Sequence, residues 1–519
     1  MQNAIRSSVL IMQRADGRVL TGLRTLAARS FPGYIAFPGG TCDDEDFEIP
    51  CLFDEDPLQR VKSKKQTTEL AQERVTALRE VGEETGLWRL CLLCGAPLSD
   101  DVKTDFLQRV EQEVLHELLP KLNIALDGRG LVPLGRWLTP PHRAKRFSVQ
   151  QFLLLDDDAE MVTGNATDEL AEIAFRDPSD VVSEWKLAER LLLPPIGHAI
   201  HHLAAVNLHE EKQKNQKVFL KHLQKLSDVP GAVDIRVREL AKGIFVQPLR
   251  SNTLPPATHT NCVLLTTTKE HKGPLVIIDP AAGDKEEEER LVHLLQHLQG
   301  EGHTLMAVVL THHHPDHMDA AGFIAKHFSL PLWAHELTEE RIDVPVDRLL
   351  HDGEMLFMGD HVEPWQVLHT PGHAPGHVCF FHEEKSVLIA GDMVAAVGSI
   401  LIDPTDGDLG VYFAQLERLI AMNPRIVIPA HGQTLLDGTE RLRFQLQHRK
   451  TRNEHVKSVL AKQEGPLSMD ALNVAVYGDE VPSYVLPLAL LSLQSIVLYL
   501  EGLGELNVDN GEISLLNEK

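Results

Sequence analysis

Residues 311–317 read THHHPDH and follow the apolar run Leu305 to Leu310. The run predicts a buried strand, so the polar residues come where that strand ends. Four of them are good metal ligands, namely His312, His314, Asp316 and His317. A single histidine is usually a packed core residue, but four such groups in one loop indicate a metal site. Imidazole and carboxylate together suit Zn²⁺, Fe or Mn better than Mg²⁺.

Three later motifs supply further ligands, and each follows a predicted strand. They are His373 in TPGHAPGH, Asp392 in AGD and His431 in PAHG. The complete set resembles the metallo-β-lactamase superfamily, and more closely its glyoxalase II and β-lactamase-like hydrolase branches. The resemblance implies an αββα sandwich and a pair of metal ions that hold a hydroxide as nucleophile.

The resemblance also implies which residues bind which ion. The two ligand sets are His312, His314 and His373 for one ion, and Asp316, His317 and His431 for the other. Asp392 would bridge the ions, and Asp316 also counts as a catalytic residue. Packing or support of the ligands is expected for the remaining polar residues of these motifs, which are Asp279, His313, His369 and His377. Thioester, ester or phosphodiester hydrolysis fits better than β-lactam cleavage, because β-lactam-cleaving members lack an aspartate like Asp392.

A second candidate site lies in the string REVGEETGL at residues 79–87. Spacing of i, i+3 and i+4 places Glu80, Glu83 and Glu84 on one side of a helix predicted from about Thr67 to Thr85. Like charges on one face repel unless a cation such as Mg²⁺ or Mn²⁺ lies between them. A solvated acidic helix face is the alternative.

With FPGG at residues 37–40, this string resembles the box of the Nudix hydrolases, which have an αβα sandwich fold. The second half of the box matches at every defined position. The first half departs from it, since Gly40 lies too far before Arg79 and Ala71 stands where the box has a glutamate. An insertion therefore interrupts the box, and one carboxylate is either missing or supplied by a neighbour such as Glu69.

Residues 135–147 look like a segment of the Nudix subgroup that cleaves coenzyme A and related diphosphates. In that family a metal-bound water attacks a diphosphate, which makes Glu83 a catalytic candidate. Glu169 is the candidate for a further catalytic glutamate, with Glu172 in reserve. Substrate phosphates could bind the basic residues Arg143, Lys145 and Arg146, whose alternative is a solvated loop.

The 519 residues exceed one hydrophobic core at the usual 100 to 200 residues per domain. The patterns predict a Nudix domain at 1–230, a metallo-β-lactamase-fold domain at 231–438 and a winged-helix-like module at 439–519. The fold class is thus a multidomain α/β and α+β protein. A helix is also expected from Asp180 to Leu193. The chain has no apolar run of membrane-spanning length and no signal-peptide layout, so a cytoplasmic location without membrane contact is expected.

The leading interpretation is a bifunctional hydrolase of a small-molecule substrate. It needs two Zn²⁺ (or Fe or Mn) ions in one half and Mg²⁺ or Mn²⁺ in the other. A formal net charge of -25 disfavours the alternative of RNA processing, for which Arg449 and Arg452 would form the basic patch. The C-terminal module is expected to close the active-site cleft or form a homodimer. A third interpretation makes the Nudix half a ligand sensor, because Ala71 replaces a box glutamate.

Overall fold

The structure is a computed structural model that forms two compact units, unit 1 at Met1–Lys242 and unit 2 at Gly243–Lys519. It describes residues 4–25, 31–54, 64–139, 146–156, 162–163, 169–228, 238–266, 273–356, 365–396, 399–478, 481 and 485–516. The predicted domain boundary at 230/231 lies outside the described residues. Within the described ranges, the structure contains no helix both long and apolar enough to cross a bilayer.

Unit 1 is built on one large sheet. The strands of unit 1 are β1 Ile5–Arg14, β2 Val19–Arg24, β3 Tyr34–Ala36, β4 Gly39–Thr41, β5 Cys51–Leu52, β6 Leu87–Trp88, β7 Leu90–Leu92, β8 Ile124–Asp127, β9 Val132–Leu138, β10 Phe147–Asp156, β11 Val162–Thr163, β12 Leu170–Arg176, β13 Leu191–Leu192 and β14 Arg238–Ala241. Strands β5, β7 and β8 form one small sheet and β6 and β11 another, and the large sheet consists of the remaining eight strands from β1 to β13. Strands run in the order β13-β3-β2-β1-β10-β9, and β4 and β12 pair beside β1 and β2. The central pair β1 and β10 is parallel.

Helices cover both faces of this sheet. They are α1 Lys64–Thr85, α2 Asp100–Arg109, α3 Leu115–Lys121, α4 Pro178–Lys186, α5 Pro194–Ala204, α6 Leu208–Lys214 and α7 Gln216–Ser227. Because side chains alternate along β1, Leu10 and Met12 pack with α1 to α3 on one face. Ile11 packs with α4, α5 and α7 on the other face. Unit 1 is therefore a three-layer arrangement, and α1 lies against the sheet edge that carries β4.

The helix predicted from Asp180 to Leu193 is wrong in its second half. Helix α4 ends at Lys186, and Ala188 takes a left-handed backbone with φ of 59°. Leu191 and Leu192 instead form a buried parallel strand against β3. Burial in the sheet edge outweighs the helical preference of these leucines, which is a weak local signal.

Unit 2 has two sheets. The strands of the first are β15 Ile244–Arg250, β16 His259–Thr266, β17 Pro274–Ile278, β18 Thr304–Val309, β19 Leu332–Ala334 and β20 Arg348–Leu349. The strands of the second are β21 Met355–Leu356, β22 Trp365–His369, β23 Val378–His382, β24 Val387–Gly391 and β25 Ile426–Pro429. Both sheets are mixed, since β17–β18 and β24–β25 are parallel while their neighbours are antiparallel.

Helices pack on each sheet of unit 2. They are α8 Lys285–Gly300, α9 Pro315–Met318, α10 Ala321–Phe328, α11 Glu336–Glu339, α12 Leu409–Ala421, α13 Gly438–Ala461, α14 Met469–Tyr477 and α15 Leu486–Gly502. Helices α8 and α10 share one apolar core with the first sheet. A second core joins the second sheet to α12, α13, α14 and α15.

The C-terminal residues alternate helices with a small sheet. After α13 come β26 Leu467–Ser468, then α14 and α15, then β27 Leu506–Asp509 and β28 Glu512–Leu515. The three strands form one sheet in the order β26-β28-β27. Leu442, Leu472 and Leu493 are buried in the same core as Leu416 of α12. Residues 439–519 thus pack directly on the second sheet of unit 2.

Candidate metal centre

Seven side chains meet at the ends of strands in unit 2, and we call this set the histidine centre. They are His312, His314, Asp316, His317, His373, Asp392 and His431. The first four lie in the loop after β18 and at the start of α9, and the others follow β22, β24 and β25. Because the strands bury their apolar residues, only the loops that follow them can present polar groups to a common point. The structure brings together all seven residues that the sequence predicts here.

Three ring nitrogens converge at one position. His314 Nδ1 lies 3.0 Å from His312 Nε2 and 3.0 Å from His373 Nε2, and the two Nε2 atoms are 3.3 Å apart. Nitrogens bound to one tetrahedral zinc ion at about 2.1 Å would be about 3.4 Å apart. The three side chains are therefore already spaced as ligands of a single ion.

The second group surrounds one oxygen of Asp392. Its Oδ1 lies 3.6 Å from His317 Nε2 and 3.4 Å from His431 Nε2, and Asp316 Oδ2 lies 3.5 Å from the same His431 nitrogen. The other oxygen, Oδ2, lies 3.5 Å from His373 Nε2. Asp392 therefore faces both groups with one carboxylate.

The donor set fits a pair of divalent ions. His317 Nε2 and Asp392 Oδ1 are buried and have no hydrogen-bond partner among the described residues. Such orphaned polar atoms cost free energy unless something pairs with them. Within the described part of the chain, every set of three His, Cys, Asp or Glu side chains with ligand atoms within 4.8 Å of one another lies around this centre.

Each inward-pointing ring is held by a bond to its other nitrogen. The partners are Thr311 Oγ1 for His312, Asp406 Oδ2 for His314, Asp279 Oδ2 for His317, the Leu401 carbonyl for His373 and the His259 carbonyl for His431. Bonds of this kind fix the tautomer and the orientation of a metal-binding imidazole. Asp279 acts twice, because it also accepts from the Thr311 backbone N–H at 2.8 Å.

Electrostatics differ between the buried rings. Burial holds the pKa of His312 well below its usual range, and the surrounding histidines add to this effect. Burial also opposes the charged form of His317, but the Asp279 and Asp392 carboxylates raise its pKa well above the ordinary value. His431 and His317 lower the pKa of Asp392 despite its burial. Burial therefore favours the neutral form of His312, while the neighbouring histidines favour the ionised form of Asp392.

The remaining histidines of the motifs have packing contacts. His377 Nε2 accepts from the Asp392 backbone N–H at 3.0 Å, and its Nδ1 lies 2.8 Å from Thr370 Oγ1. His369 Nε2 bonds to the Pro375 carbonyl. Neither belongs to a ligand group. The sequence prediction missed Asp406, which reaches His313 and His314, although its acidic loop DPTDGD at 403–408 offered a signal.

In unit 1, Glu80, Glu83 and Glu84 lie on one side of α1, and we call them the carboxylate cluster. Gly39 of β4 donates its backbone N–H to Glu84 Oε2 at 2.7 Å. The neighbouring Gly40 lets the Glu80 carboxyl approach closely, because a Cβ there would lie 2.4 Å from it and the carboxyl would have to move. The FPGG motif and the glutamate string are thus in direct contact.

Arg79 organises this cluster. Its Nη1 donates to Glu83 Oε2 at 2.8 Å and lies 3.0 Å from Glu80 Oε1. Its Nε donates to the buried Asp46 at 2.7 Å, and Thr76 Oγ1 also donates to that carboxylate. The sequence prediction missed Asp46, which lies in the acidic stretch before α1. A single acidic side chain in such a stretch carries no pattern that marks it as buried.

The three glutamates of the cluster do not converge on one position as the ligands of the histidine centre do. They form none of the closely spaced ligand sets found among the described residues. Burial raises the pKa of Glu80 to about 7 and that of Glu84 to about 8, although Arg79 opposes the shift of Glu80. The charge of Glu169 adds to both shifts, and its side chain is exposed.

The other predicted residues of unit 1 are dispersed. Glu172 has a left-handed backbone and pairs with Arg190 at 2.7 Å, and Glu69 is half-buried near the start of α1. Arg146 donates to the Thr139 carbonyl. Arg143 and Lys145 lie outside the described residues.

A family profile matches within unit 2. The profile of the Metallo-beta-lactamase superfamily matches residues 255–431. Hydroxyacylglutathione hydrolase GloC of Haemophilus influenzae is 30% identical over 205 residues, which are 36% of this chain and 91% of that protein. The chain therefore belongs to the metallo-beta-lactamase superfamily, and it is a hydrolase.

Two further relatives match part of the chain. Lactamase-like protein aptB of Emericella nidulans is 28% identical over 191 residues, 35% of this chain, and the chain spans 59% of its length. Atrochrysone carboxyl ACP thioesterase of Claviceps purpurea is 25% identical over 237 residues, which are 44% of this chain and 71% of that protein.

Two solved structures resemble parts of the chain. The protein TTHA1623, solved in a di-iron-bound form, is 31% identical to this chain, with a TM-score of 0.30. The match covers 37% of this chain and 96% of that protein. A NUDIX hydrolase from Alicyclobacillus acidocaldarius is 23% identical, with a TM-score of 0.35, 43% of this chain covered and 98% of that chain. At such TM-scores neither likeness decides anything about the fold.

Proposed function

We propose that the histidine centre binds two divalent metal ions, Zn²⁺ or Fe, and hydrolyses a thioester. One observation carries the proposal, which is the carboxylate of Asp392 turned with one oxygen toward His373 and the other toward His317 and His431. His312, His314 and His373 would hold one ion. Asp316, His317 and His431 would hold the other.

The chemistry divides between the ions and the chain. When bound, the ions would polarise the bond under attack and lower the pKa of a water molecule. The chain orients the ligands through Asp279, Asp406 and two backbone carbonyls. Ester and phosphodiester bonds could use the same arrangement. The names of GloC and of the Claviceps thioesterase favour the thioester.

The test is a panel of thioesters, esters and phosphodiesters with metal-loaded full-length protein. Wild type should cleave thioesters, and Asp392→Ala should not. Asp403→Asn is the matched control, since Asp403 bonds only within its own loop through Thr405. Wild type that cleaves esters or phosphodiesters but no thioester would overturn the substrate class.

For unit 1 we propose a Nudix diphosphatase that uses Mg²⁺ or Mn²⁺. The support is the contact of the carboxylate cluster with the glycines of FPGG and with Arg79. Glu80, Glu83 and Glu84 would bind the ion, with Glu83 and Glu169 as catalytic residues. A coenzyme A-like molecule would suit both units, because it has a diphosphate and, when acylated, a thioester.

A ligand sensor is the alternative role for unit 1. The pairing of Arg79 favours a sensor, because its guanidinium already neutralises part of the cluster without a metal ion. Mg²⁺-dependent cleavage of coenzyme A by wild type, lost in Glu83→Gln, would support catalysis. Diphosphate binding without turnover would support the sensor.

For residues 439–519 we propose a winged-helix module, after a Nudix domain at 1–230 and a metallo-β-lactamase-fold domain at 231–438. The support is the order of α13, β26, α14, α15 and the hairpin β27–β28. Cleft closure or dimer formation suits the module better than RNA binding. Arg449 is buried at 7% exposure, and Arg452 lies over the Tyr477 ring, so the expected basic patch is not an exposed pair.

A further inference from the structure

Asp406 makes the contacts of an anchor beside the histidine centre. Its Oδ2 accepts from His314 Nε2 at 2.9 Å and lies 3.3 Å from His313 Nε2. Its Oδ1 lies 3.7 Å from Arg341 Nε. Three donors thus surround one half-buried carboxylate, and none of the sequence motifs contains it.

The loop that carries Asp406 is fixed in place. Asp403 accepts from the Thr405 backbone N–H at 2.8 Å, and Asp408 donates its N–H to the Gly372 carbonyl at 2.8 Å. Gly407 leaves no room for a side chain, since a Cβ there would lie 2.6 Å from that same carbonyl. Gly372 directly precedes His373. The loop therefore contacts two proposed ligands of the same ion. It reaches His314 through Asp406 and the residue before His373 through Asp408.

The position of His314 decides what Asp406 does. His314 Nδ1 lies 3.0 Å from both His312 Nε2 and His373 Nε2, so this nitrogen faces the centre. A neutral imidazole with a free lone pair at Nδ1 must carry its proton at Nε2. That proton needs an acceptor, and Asp406 Oδ2 is at hydrogen-bond distance.

We infer that Asp406 is a positioning residue, which holds His314 with Nδ1 aimed at the metal ion; this inference rests on the proposed metal-dependent function. His313, His314 and Asp406 also form a set spaced closely enough for an ion of their own. That use would require both nitrogens of His314 to bind metal at once. A neutral His314 with its proton on Nε2 can bind the proposed ion through Nδ1 and donate to Asp406 at the same time.

The experiment measures metal affinity rather than turnover. Metal-free full-length wild type, Asp406→Ala, Asp406→Asn and Asp403→Asn are titrated with Zn²⁺ against a coloured chelator. Asp406→Ala should lower the affinity for one ion about 10- to 100-fold, the usual effect of losing an outer partner of a ligand. Asp406→Asn should retain most of the affinity, because its amide oxygen still accepts from Nε2. Asp403→Asn should stay within about twofold, since it changes the same charge without contacting a histidine.

Three results would overturn the inference. They are wild-type affinity in Asp406→Ala, an equal loss in Asp403→Asn, and a third zinc ion in wild type that disappears in Asp406→Ala. Unfolding of the metal-free variants identifies a folding defect; if Asp406→Ala is unstable, Asp406→Leu replaces it, because leucine keeps the volume of the side chain, accepts no hydrogen bond and should show the same loss of affinity. His373→Ala separates the two proposals. If it also binds zinc normally, the proposed centre has failed; if only Asp406→Ala does, the positioning role has failed.

Discussion

The histidine centre of unit 2 and the carboxylate cluster of unit 1 stabilise closely spaced polar side chains in opposite ways. In the histidine centre, ring nitrogens point at one another at 3.0 to 3.3 Å, and two buried polar atoms have no partner among the described residues. In the carboxylate cluster, a guanidinium at 2.8 to 3.0 Å pairs with Glu83 and Glu80.

The difference shows what the spacing between ligand atoms indicates about a metal site. Neutral imidazoles repel one another only weakly. They can therefore lie at the spacing of metal ligands without a metal ion, while their outer nitrogens form hydrogen bonds to the protein. Carboxylates at the same distance would repel strongly, and Arg79 or protonation must compensate. Burial raises the pKa values of Glu80 and Glu84, and the neighbouring carboxylates add to both shifts. The proposed metal centre of unit 2 is thus preformed, whereas a metal ion proposed for unit 1 would have to displace Arg79 from the carboxylates.

The largest effect should come from Asp392. Asp392→Asn removes the charge that faces both ligand groups while keeping the size of the side chain. Thioester hydrolysis should fall by more than the roughly 10- to 100-fold loss caused by an outer residue. Steady-state kinetics with metal-loaded protein provides the measurement, and Asp403→Asn is the control. Activity within tenfold of wild type would place the reaction elsewhere.

Glu83 tests the other side of the comparison. Glu83→Gln should reduce Mg²⁺-dependent diphosphate cleavage on the order of 100-fold, because it removes both a ligand and the partner of Arg79. The same variant should leave thioester hydrolysis by unit 2 unchanged. Product analysis of acyl-coenzyme A separates the two reactions. Equal loss of both activities would contradict two independent sites.

Asp46 tests whether Arg79 is a structural anchor. Its side chain is 1% exposed and its bond to Arg79 is 2.7 Å, so Asp46→Ala leaves a buried guanidinium with fewer partners. The free energy of unfolding of unit 1 should fall by about 2–4 kcal/mol, with Glu83 limiting the loss. The exposed pair of Asp16 and Arg18 is the control, where Asp16→Ala should cost less than about 1 kcal/mol. Hydrogen exchange of peptides from each unit measures this, and unchanged protection in unit 1 would contradict it.

The smallest effect concerns a histidine pair without a metal centre. His202 Nε2 lies 3.2 Å from His222 Nδ1, and burial, then His222, His198 and Lys225, lower the pKa of His202 to about 4. Its folded pKa is below the unfolded value of about 6.5, so acid favours the unfolded chain. The free energy of unfolding of unit 1 should therefore fall by about 1–3 kcal/mol between pH 6.5 and 4.

His202→Gln should flatten this pH dependence. The measurement is urea unfolding followed by hydrogen exchange in unit 1 across that pH range. His202→Gln should not change any effect of zinc on the stability of unit 1, since His202 and His222 form a bonded pair and belong to no closely spaced set of three ligands among the described residues. A zinc-dependent rise that His202→Gln abolishes would remove the contrast between the two units.

The histidine centre could be predicted from the sequence because each ligand follows an apolar run. The ligands after β22, β24 and β25 come from neighbouring strands of one sheet, and the loop after β18 of the other sheet supplies the rest. Asp406 escaped prediction because it comes from a loop with no preceding strand, and its partner His314 is 92 positions away. Asp46 escaped for a similar reason, since only the folded chain shows which acid of its stretch is buried. Leu191 and Leu192 show the same limit, because their strand depends on β3.

The most direct test of the central claim counts the metal ions in unit 2. Metal-free full-length protein is reconstituted with Zn²⁺ or Fe, desalted and analysed for metal, beside a His312→Ala/Asp392→Ala double variant. The account predicts that wild type holds two more ions per chain than the variant. A difference of zero or one ion would contradict a dinuclear centre.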